Sequence, residues 1–378
     1  MKRVINPYNC SGCTACLSIC RHNAITMRPD GLGFLYPEVD ASRCVECGLC
    51  DQVCTFHEEY DVSSNLAEPL AYAARHVSDD EVMKSRSGAV FAALSDEVLA
   101  RGGVVYGAGY EGHFRVVHKR AVTREERDEM RGSKYVQSDL RGIFPLVLHD
   151  LQSDTDVLFS GTPCQTSGLR SFLGKKWANS PHLLLVDVVC HGVPSPYIWR
   201  DYLALMEHRE GVRFNQISFR DKLHFGWTSH RESFESDSCF VSTDTFKRLF
   251  YSHILLRYSC YVCPFKNFRR PSDITIGDYW GWERTDENIN KDDKGCSLVL
   301  VNSLKGETRF NEIKHKLICI SAKLENCTQK PLLYPFKENR RRKAFEREYL
   351  RWGLRFVIFR YANNSWIYRK IRHLFKLH

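Results

Sequence analysis

A duplicated cysteine spacing constrains this chain more than any other feature. The spacing C-x2-C-x2-C-x3-C occurs twice in the first 54 residues. An iron–sulfur cube needs four converging thiolates, and in this spacing three close cysteines wrap one cube while the fourth reaches across to the other. Structural zinc, the alternative, uses paired cysteines with a long gap between the pairs. We therefore predict two 4Fe–4S clusters. The predicted ligands are Cys10, Cys13, Cys16 and Cys54 for the first cluster, and Cys44, Cys47, Cys50 and Cys20 for the second.

The cysteine content also indicates a compartment. The chain has 378 residues, of which 16 are cysteine, and its first residues, MKRVINPYNC, lack the apolar region and cleavage site of a secretory signal. No apolar stretch is long enough to cross a bilayer. In a reducing cytoplasm so many thiols usually bind metal rather than form disulfides. We therefore expect a cytoplasmic metalloprotein.

The rest of the chain is predicted to be an α/β domain. A polar segment, HEEYDVSSNLAEP, follows Cys54 and is typical of a linker, and from Leu70 onward strand-like and helix-like runs alternate. The predicted fold class is α+β or α/β, with a ferredoxin-like dicluster module followed by an α/β domain. The expected segments are 1–58 for the module, 70–150 and 151–310 for the two parts of the body, and 331–378 for a tail.

Two loops in the body are candidates for binding phosphate. Ser85, Ser87 and Gly88 precede a predicted helix that runs to about Ala100, and a helix N-terminus presents free N–H groups to an anion. A second loop contains Ser133 and Lys134, which offer a hydroxyl and a cation. An ordinary helix cap and a solvated turn would use the same residues, so the pattern alone leaves both alternatives open.

Four further cysteines are spaced for a third cluster. Cys164 follows a short apolar strand that begins at Val157. Cys190 follows a near-continuous apolar run that is typical of a buried parallel strand. Open α/β sheets bind ligands at such strand ends. Cys260 and Cys263 form a later C-x2-C pair. Four thiolates suffice for a cluster, although free cysteine is also common as a small buried apolar residue. The cysteines without ligand spacing are taken as structural: Cys239, Cys296, Cys319 and Cys327.

The motifs of the body, taken in order, resemble those of the coenzyme F-420 hydrogenase and dehydrogenase beta-subunit family. The matching segments are Ser85–Gly88, Gly132–Ser138, Gly161–Gln165, Cys190–Pro194, Ser218–Trp227, Arg257–Cys263 and Asp273–Gly281. The resemblance implies FAD and a body cluster, with electrons passing between a two-electron hydride carrier and one-electron clusters.

Carried over residue by residue, the resemblance assigns the body-cluster ligands and the flavin-phosphate contacts. The cluster ligands would be Cys164, Cys190, Cys260 and Cys263, and the flavin contacts Ser85, Ser87, Gly88, Ser133 and Lys134. The family also includes plant-type reductases of chlorophyll side chains. Its bacterial members that resemble this chain are often linked to surface-polysaccharide production.

Three other residues near the predicted site have competing explanations. His191 could tune a cluster or shuttle a proton, but a hydrogen-bonded structural histidine is the simpler interpretation. Asp278 and Trp280 end a predicted strand and could line a substrate pocket; a turn and a core aromatic residue explain them equally well.

The positive charge of the chain belongs to its tail. The net charge is +9, and residues 331–378 contain 13 Lys and Arg against 3 Asp and Glu, so the remainder sums to −1 (9 minus 10). Trp352, Phe356 and Phe359 are spaced to share one helix face. A basic amphipathic helix suits an anionic membrane surface, but we favour a terminal helix packed on the core. Nothing in the body supports nucleic-acid binding.

These patterns predict an iron–sulfur flavoprotein oxidoreductase. Electrons from a ferredoxin would reduce a small organic substrate, or a reduced deazaflavin would be oxidised. An electron-transfer subunit without its own substrate, docking on a partner enzyme, is the alternative. A redox-responsive regulator at the inner face of the membrane would contain clusters but no flavin.

Overall fold

The computed structural model describes residues 7–56 and 60–362. The strands are β1 (Ile25–Pro29), β2 (Leu35–Val39), β3 (Asn65–His76), β4 (Val104–Glu111), β5 (Arg115–Ala121), β6 (Val157–Gly161), β7 (Leu183–Val188), β8 (Gln216–Ser218), β9 (Glu232–Ser236), β10 (Cys239–Thr243), β11 (Ile274–Asp278), β12 (Ser297–Ser303) and β13 (Leu317–Ala322). The helices are α1 (Ala15–Ile19), α2 (Leu49–Gln52), α3 (Asp79–Lys84), α4 (Val90–Ala100), α5 (Arg124–Asp128), α6 (Ile143–Gln152), α7 (Pro163–Ala178), α8 (Pro196–Glu210), α9 (Lys222–Phe225), α10 (Thr245–Tyr251), α11 (Leu304–Ile313), α12 (Lys330–Leu333) and α13 (Arg342–Val357).

An eight-stranded mixed sheet forms the centre of the body. Its strand order is β13-β3-β12-β11-β7-β6-β4-β5, and β4, β6, β7 and β11 run parallel to one another. Both faces of a parallel sheet are covered, which explains why β7 is a nearly continuous apolar run and why five of its six residues are buried. The predicted combination of an N-terminal module with an α/β body is confirmed.

The polar segment before the body is more ordered than a linker. Asn65 begins β3, which pairs with β12 and β13, so the second half of the predicted linker is part of the central sheet. Tyr60 donates a hydrogen bond to the carbonyl of Arg269 at 2.8 Å, and the amide of Asn65 donates to the carbonyl of Arg270 at 2.9 Å. The linker prediction was wrong here because strand pairing, rather than side-chain hydrophobicity, orders this segment.

The N-terminal module packs into the body. Its β1–β2 hairpin is antiparallel, and the turn between the strands carries Leu32 and Phe34, both fully buried in the core beside Trp199 of α8. The N–H of Tyr197 and the hydroxyl of Ser195 both donate to the carbonyl of Leu32, at 3.1 and 2.6 Å. Burying these apolar groups fixes the module against the body.

The C-terminal helix α13 contributes to the same core. Phe345, Tyr349 and Leu354 are buried with residues of α8, which supports the core-packed interpretation of the basic tail. Gly353 has a non-helical conformation (φ 75°) that interrupts the face predicted to carry Trp352 and Phe356, although their rings remain in contact, with centroids 4.6 Å apart. Residues 363–378, including Trp366 and Tyr368, lie outside the described residues.

Within residues 7–56 and 60–362, none of the helices has the length and apolar character needed to cross a membrane.

Candidate iron–sulfur centre

The candidate site lies where three parallel strands end side by side. Cys164 is in the first turn of α7, directly after β6, and Cys190 lies two residues beyond β7. Val188 pairs with Ile276 of β11, so Asp278, the last residue of β11, lies level with Cys190. The carboxyl ends of adjacent parallel strands form the usual binding edge of such sheets.

The four body thiols lie together. Cys164, Cys190, Cys260 and Cys263 line one cavity. Burial raises the pKa of Cys164 well above its usual value, and the neighbouring Cys263, Cys190 and Cys260 add to the shift. Burial likewise raises the pKa of Cys260 to about 12. Buried thiols in an apolar setting do not ionise alone, whereas a metal cluster would stabilise them as thiolates.

Hydrogen bonds and one cation orient these thiols. The N–H of Val193 donates to Sγ of Cys260 at 3.4 Å, and Oγ1 of Thr162 lies 3.1 Å from Sγ of Cys164. Lys266 donates to the carbonyl of Cys190, and its charge opposes the rise in the pKa of Cys263. Donors and positive charge around sulfur are the groups that tune a cluster. The donor set therefore fits a 4Fe–4S cluster.

The cysteines of one predicted N-terminal ligand set lie close enough to shift one another's pKa values. Burial raises the pKa of Cys16 well above its usual value, and Cys13, Cys10 and Cys54 raise it further. The fourth cysteine of the second repeat therefore lies beside the first three of the first repeat, as the crossed arrangement requires.

The other predicted set, Cys20, Cys44, Cys47 and Cys50, lies nearer the surface. Cys47 is exposed, and Val45, two residues before it, is 58% exposed.

Arg257 connects the first N-terminal set with the body site. Its guanidinium is fully buried and donates to the carbonyl of Cys10 at 2.7 Å and to Sγ of Cys10 at 3.5 Å. Its own carbonyl accepts the N–H of Cys260 at 3.0 Å, and its side chain lines the cavity of the body thiols. The resemblance had marked only the segment Arg257–Cys263, without a role for this arginine.

Helix α7 makes a second connection. It carries Cys164 at its start, and Gly168 lies one turn later, against Cys13. A Cβ atom on Gly168 would lie 2.7 Å from Sγ and 2.8 Å from Cβ of Cys13, so only glycine fits at this contact. Four residues of helix rise about 6 Å. The two candidate cluster sites are therefore near neighbours.

The residues of the predicted flavin-phosphate loops differ in whether their polar groups are already hydrogen-bonded within the protein. Ser87 donates to the carbonyl of Cys296 at 2.6 Å, and the N–H of Gly88 donates to Oγ of Ser297 at 2.9 Å, so both groups are used within the protein. Oγ of Ser85 is buried without a hydrogen-bond partner among the described residues. Lys134 donates to the carbonyl of Arg131 at 3.1 Å, and Ser133 is exposed.

The surroundings of His191 differ from the hydrogen-bonded histidine that was favoured. Its ring stacks on Phe336, with centroids 3.9 Å apart, and lies 4.6 Å from the ring of Phe250. Its Nε2 is buried and has no hydrogen-bond partner in the part of the chain that the structure describes. Burial lowers the pKa of His191 to about 3. Aromatic packing therefore orients this histidine, and it is neutral.

The arginines that surround Asp278 were not predicted from the sequence. Arg220 forms a salt bridge with Asp278, and Nε of Arg86 lies 4.0 Å from the same carboxylate. Trp280, considered either a core residue or a pocket residue, stacks on Trp227 but remains 39% exposed. Arginine in a polar loop carries no local signal of burial, so only the fold reveals these contacts.

The cysteines predicted to be structural pack in apolar surroundings. Cys296 and Cys327 are buried in one apolar cluster, and Cys239 and Cys319 pack against two others.

Comparison with known proteins identifies both parts of the chain. Residues 154–326 match the C-terminal part of the coenzyme F-420 hydrogenase/dehydrogenase beta subunit, and residues 9–57 match a 4Fe-4S dicluster domain. A chain of the F-420-reducing [NiFe] hydrogenase complex from Methanosarcina barkeri is similar in structure, with a TM-score of 0.47 and 17% identity over 67% of this chain and 82% of that one. No curated protein matches in sequence. Residues 154–326 therefore form a domain similar to the C-terminal part of the coenzyme F-420 hydrogenase/dehydrogenase beta subunit, and residues 9–57 form a 4Fe-4S dicluster domain.

Proposed function

We propose that this chain is an oxidoreductase in which electrons pass between the N-terminal clusters and a third cluster in the body, and from there to a flavin and an organic substrate. The observation that carries the proposal is Arg257, which contacts Cys10 of one candidate cluster and lines the cavity of the other. These contacts support this order of sites.

Three predicted ligand sets support the cluster part of the proposal. Cys164, Cys190, Cys260 and Cys263 would hold the body cluster, and Cys10, Cys13, Cys16 and Cys54 the nearer N-terminal cluster. The exposed position of Cys47 favours the remaining cluster as the one that meets an external redox partner, either a ferredoxin or a reduced deazaflavin.

The flavin part rests on the family resemblance and on the residues of the two predicted phosphate loops. A flavin exchanges electrons singly or in pairs and so connects one-electron clusters with two-electron organic chemistry. Ser85 offers a buried hydroxyl that has no hydrogen-bond partner among the described residues. Lys134 offers an amino group on the second loop, and burial lowers its pKa to about 7. A role in surface-polysaccharide production rests on the resemblance alone and stays a prediction.

The test is anaerobic purification with iron, sulfide and flavin quantified per chain. We expect about twelve irons, from three four-iron clusters, and one FAD. Cys190→Ser should lower the iron by about four atoms, because it removes a ligand of the body cluster only. Cys239→Ser is the matched control, since Cys239 packs against an apolar cluster, and it should retain the full complement.

About eight irons in the unmodified protein, or equal iron in Cys190→Ser and Cys239→Ser, would refute the body cluster. A full iron content without flavin would refute the flavin step and leave an electron-transfer subunit that docks on a partner enzyme. Turnover of an organic substrate by the isolated chain separates that subunit from a complete enzyme.

A further inference from the structure

Two buried arginines share a single carboxylate beside the body site. The side chains of Arg86 and Arg220 are 9% and 4% exposed, and that of Asp278 is 14% exposed. Arg220 donates to Oδ2 of Asp278, and Arg86 lies 4.0 Å from the same oxygen. Both guanidinium groups also donate to the carbonyl of Trp227, so the two cations lie side by side.

The positive charge of this cluster exceeds its negative charge. One carboxylate compensates one guanidinium, and the other arginine has no acidic partner of its own in the described structure. The Nε groups of Arg86 and Arg220 and the hydroxyl of Ser85 are buried without hydrogen-bond partners among the described residues. Buried charges and donors left in this state are costly unless a ligand satisfies them.

A nearby histidine reflects the same surplus of positive charge. Burial and then the charges of Arg220 and Arg86 lower the pKa of His230 to about 2. His230 is therefore neutral, and it lies against Tyr251, whose hydroxyl is 2.8 Å from its Nδ1. Neutral imidazole and phenol groups can accept or donate hydrogen bonds without adding charge.

The cluster is adjacent to the body cysteines and open to solvent through aromatic residues. Asp278 lies level with Cys190 at the strand ends, and the ring of His191 contacts that of Tyr251, with centroids 5.4 Å apart. Tyr251 and Trp280 are 46% and 39% exposed, and Trp280 lies over the guanidinium of Arg220 at 5.3 Å. A molecule stacked on these rings could direct an acidic group inward to the arginines.

We propose that Arg86 and Arg220 bind an oxyanion, a phosphate or a carboxylate, carried by the molecule that exchanges electrons at the body site. Guanidinium groups recognise both anions through paired N–H donors. Asp278 acts as the internal counter-ion that holds the arginines in place when the oxyanion is absent. The inference rests on the proposed function for the identity of the ligand, but not for the binding of the anion itself.

Two molecules could supply the oxyanion: a bound flavin through its phosphate, or the substrate through an acidic group. Flavin content per chain tests the first source. Calorimetric titration of the full-length protein with inorganic pyrophosphate and with succinate tests the second. Arg86→Gln and Arg220→Gln should lose flavin, or weaken the binding of the probe anion by at least about tenfold, because each removes a charged donor.

The direction in which a third variant changes anion binding distinguishes a binding role of the arginines from a structural one. Asp278→Asn removes the competing internal anion, so it should tighten the probe or retain more flavin, whereas a structural role predicts a loss like that of the arginine variants. Arg231→Gln is the control, since Arg231 is exposed and lies over Phe225. Arg86→Lys keeps the charge and should lose less than Arg86→Gln if the variant folds.

Loss of flavin in the arginine variants assigns the oxyanion to the flavin, and loss of probe binding with flavin retained assigns it to the substrate. Unchanged flavin and probe affinity in both Arg→Gln variants overturn the proposal, as does a loss in Asp278→Asn equal to theirs. Absence of both flavin and probe binding in the unmodified protein overturns it without any variant. Iron measured on the same samples reports the body cluster separately.

Discussion

Replacing Arg257 with glutamine should lower the reduction potential of the N-terminal cluster nearest to the body. Arg257 is fully buried, and its Nη2 lies 3.5 Å from Sγ of Cys10. If the added electron is taken to lie about 6 Å from the guanidinium, the Coulomb interaction is about 3 kcal/mol at an effective dielectric constant of about 20. For a one-electron couple this corresponds to about 130 mV, because a tenfold change in equilibrium constant is about 59 mV.

The assay is an anaerobic potentiometric titration followed by electron paramagnetic resonance, with iron content measured on each sample. Arg257→Lys retains the charge and should keep most of the potential, which separates charge from packing. Arg269→Gln is a suitable control because Arg269 is exposed. A shift below about 20 mV in Arg257→Gln, with full iron content, would refute the electrostatic reasoning, since that is far below the Coulomb value.

Three further predictions concern stability. Gly168→Ala should destabilise the protein by about 1–2 kcal/mol, since the overlap with Cys13 outweighs the helix propensity of alanine; unchanged thermal unfolding would contradict this contact. Leu32→Ala should cost about 2–5 kcal/mol and loosen the module, measured as faster proteolysis of the holoprotein, because Leu32 is fully buried. Burial raises the pKa of Glu232 to about 7. The folded state therefore retains a proton that the unfolded state loses above about pH 4.5, and stability falls as pH rises towards 7. Glu232→Gln should remove this loss of stability, which is about 3 kcal/mol. The variant should therefore be more stable than the unmodified protein at pH 8 and about equally stable at pH 4. Parallel pH profiles of the two proteins would contradict this prediction.

The grouping of the cysteines could be predicted because its signals are local, and their role as cluster ligands stays a prediction. The first N-terminal set was predicted from spacings of two and three residues, and the position of Cys190 was predicted from the apolar run of β7 that precedes it. A parallel strand must be apolar on both faces, so its end is visible in sequence. The fold class followed from the same alternation of strands and helices.

The charged contacts were not predictable because they join distant parts of the chain. Arg257 and Cys10 are 247 residues apart, and Arg220 and Asp278 are 58 apart. Neither arginine belongs to a periodic pattern, and arginine is usually exposed. The linker prediction failed for a related reason. The polar start of β3 is ordered by pairing with β12, in which Ser303 lies opposite Asn65. Such pairing depends on the sheet as a whole.

The burial of the module changes how electrons can reach the body. Leu32 and Phe34 lie in the core of the body, and Gly168 and Arg257 tie the first cysteine set to the elements that carry Cys164 and Cys260. Under the proposed function, the step between these two sites would be intramolecular and would need no docking, so its rate should not depend on protein concentration. The step at the exposed Cys47 would require a partner. A partner-dependent rate that varies with ionic strength, together with an internal rate that does not, would distinguish the two steps.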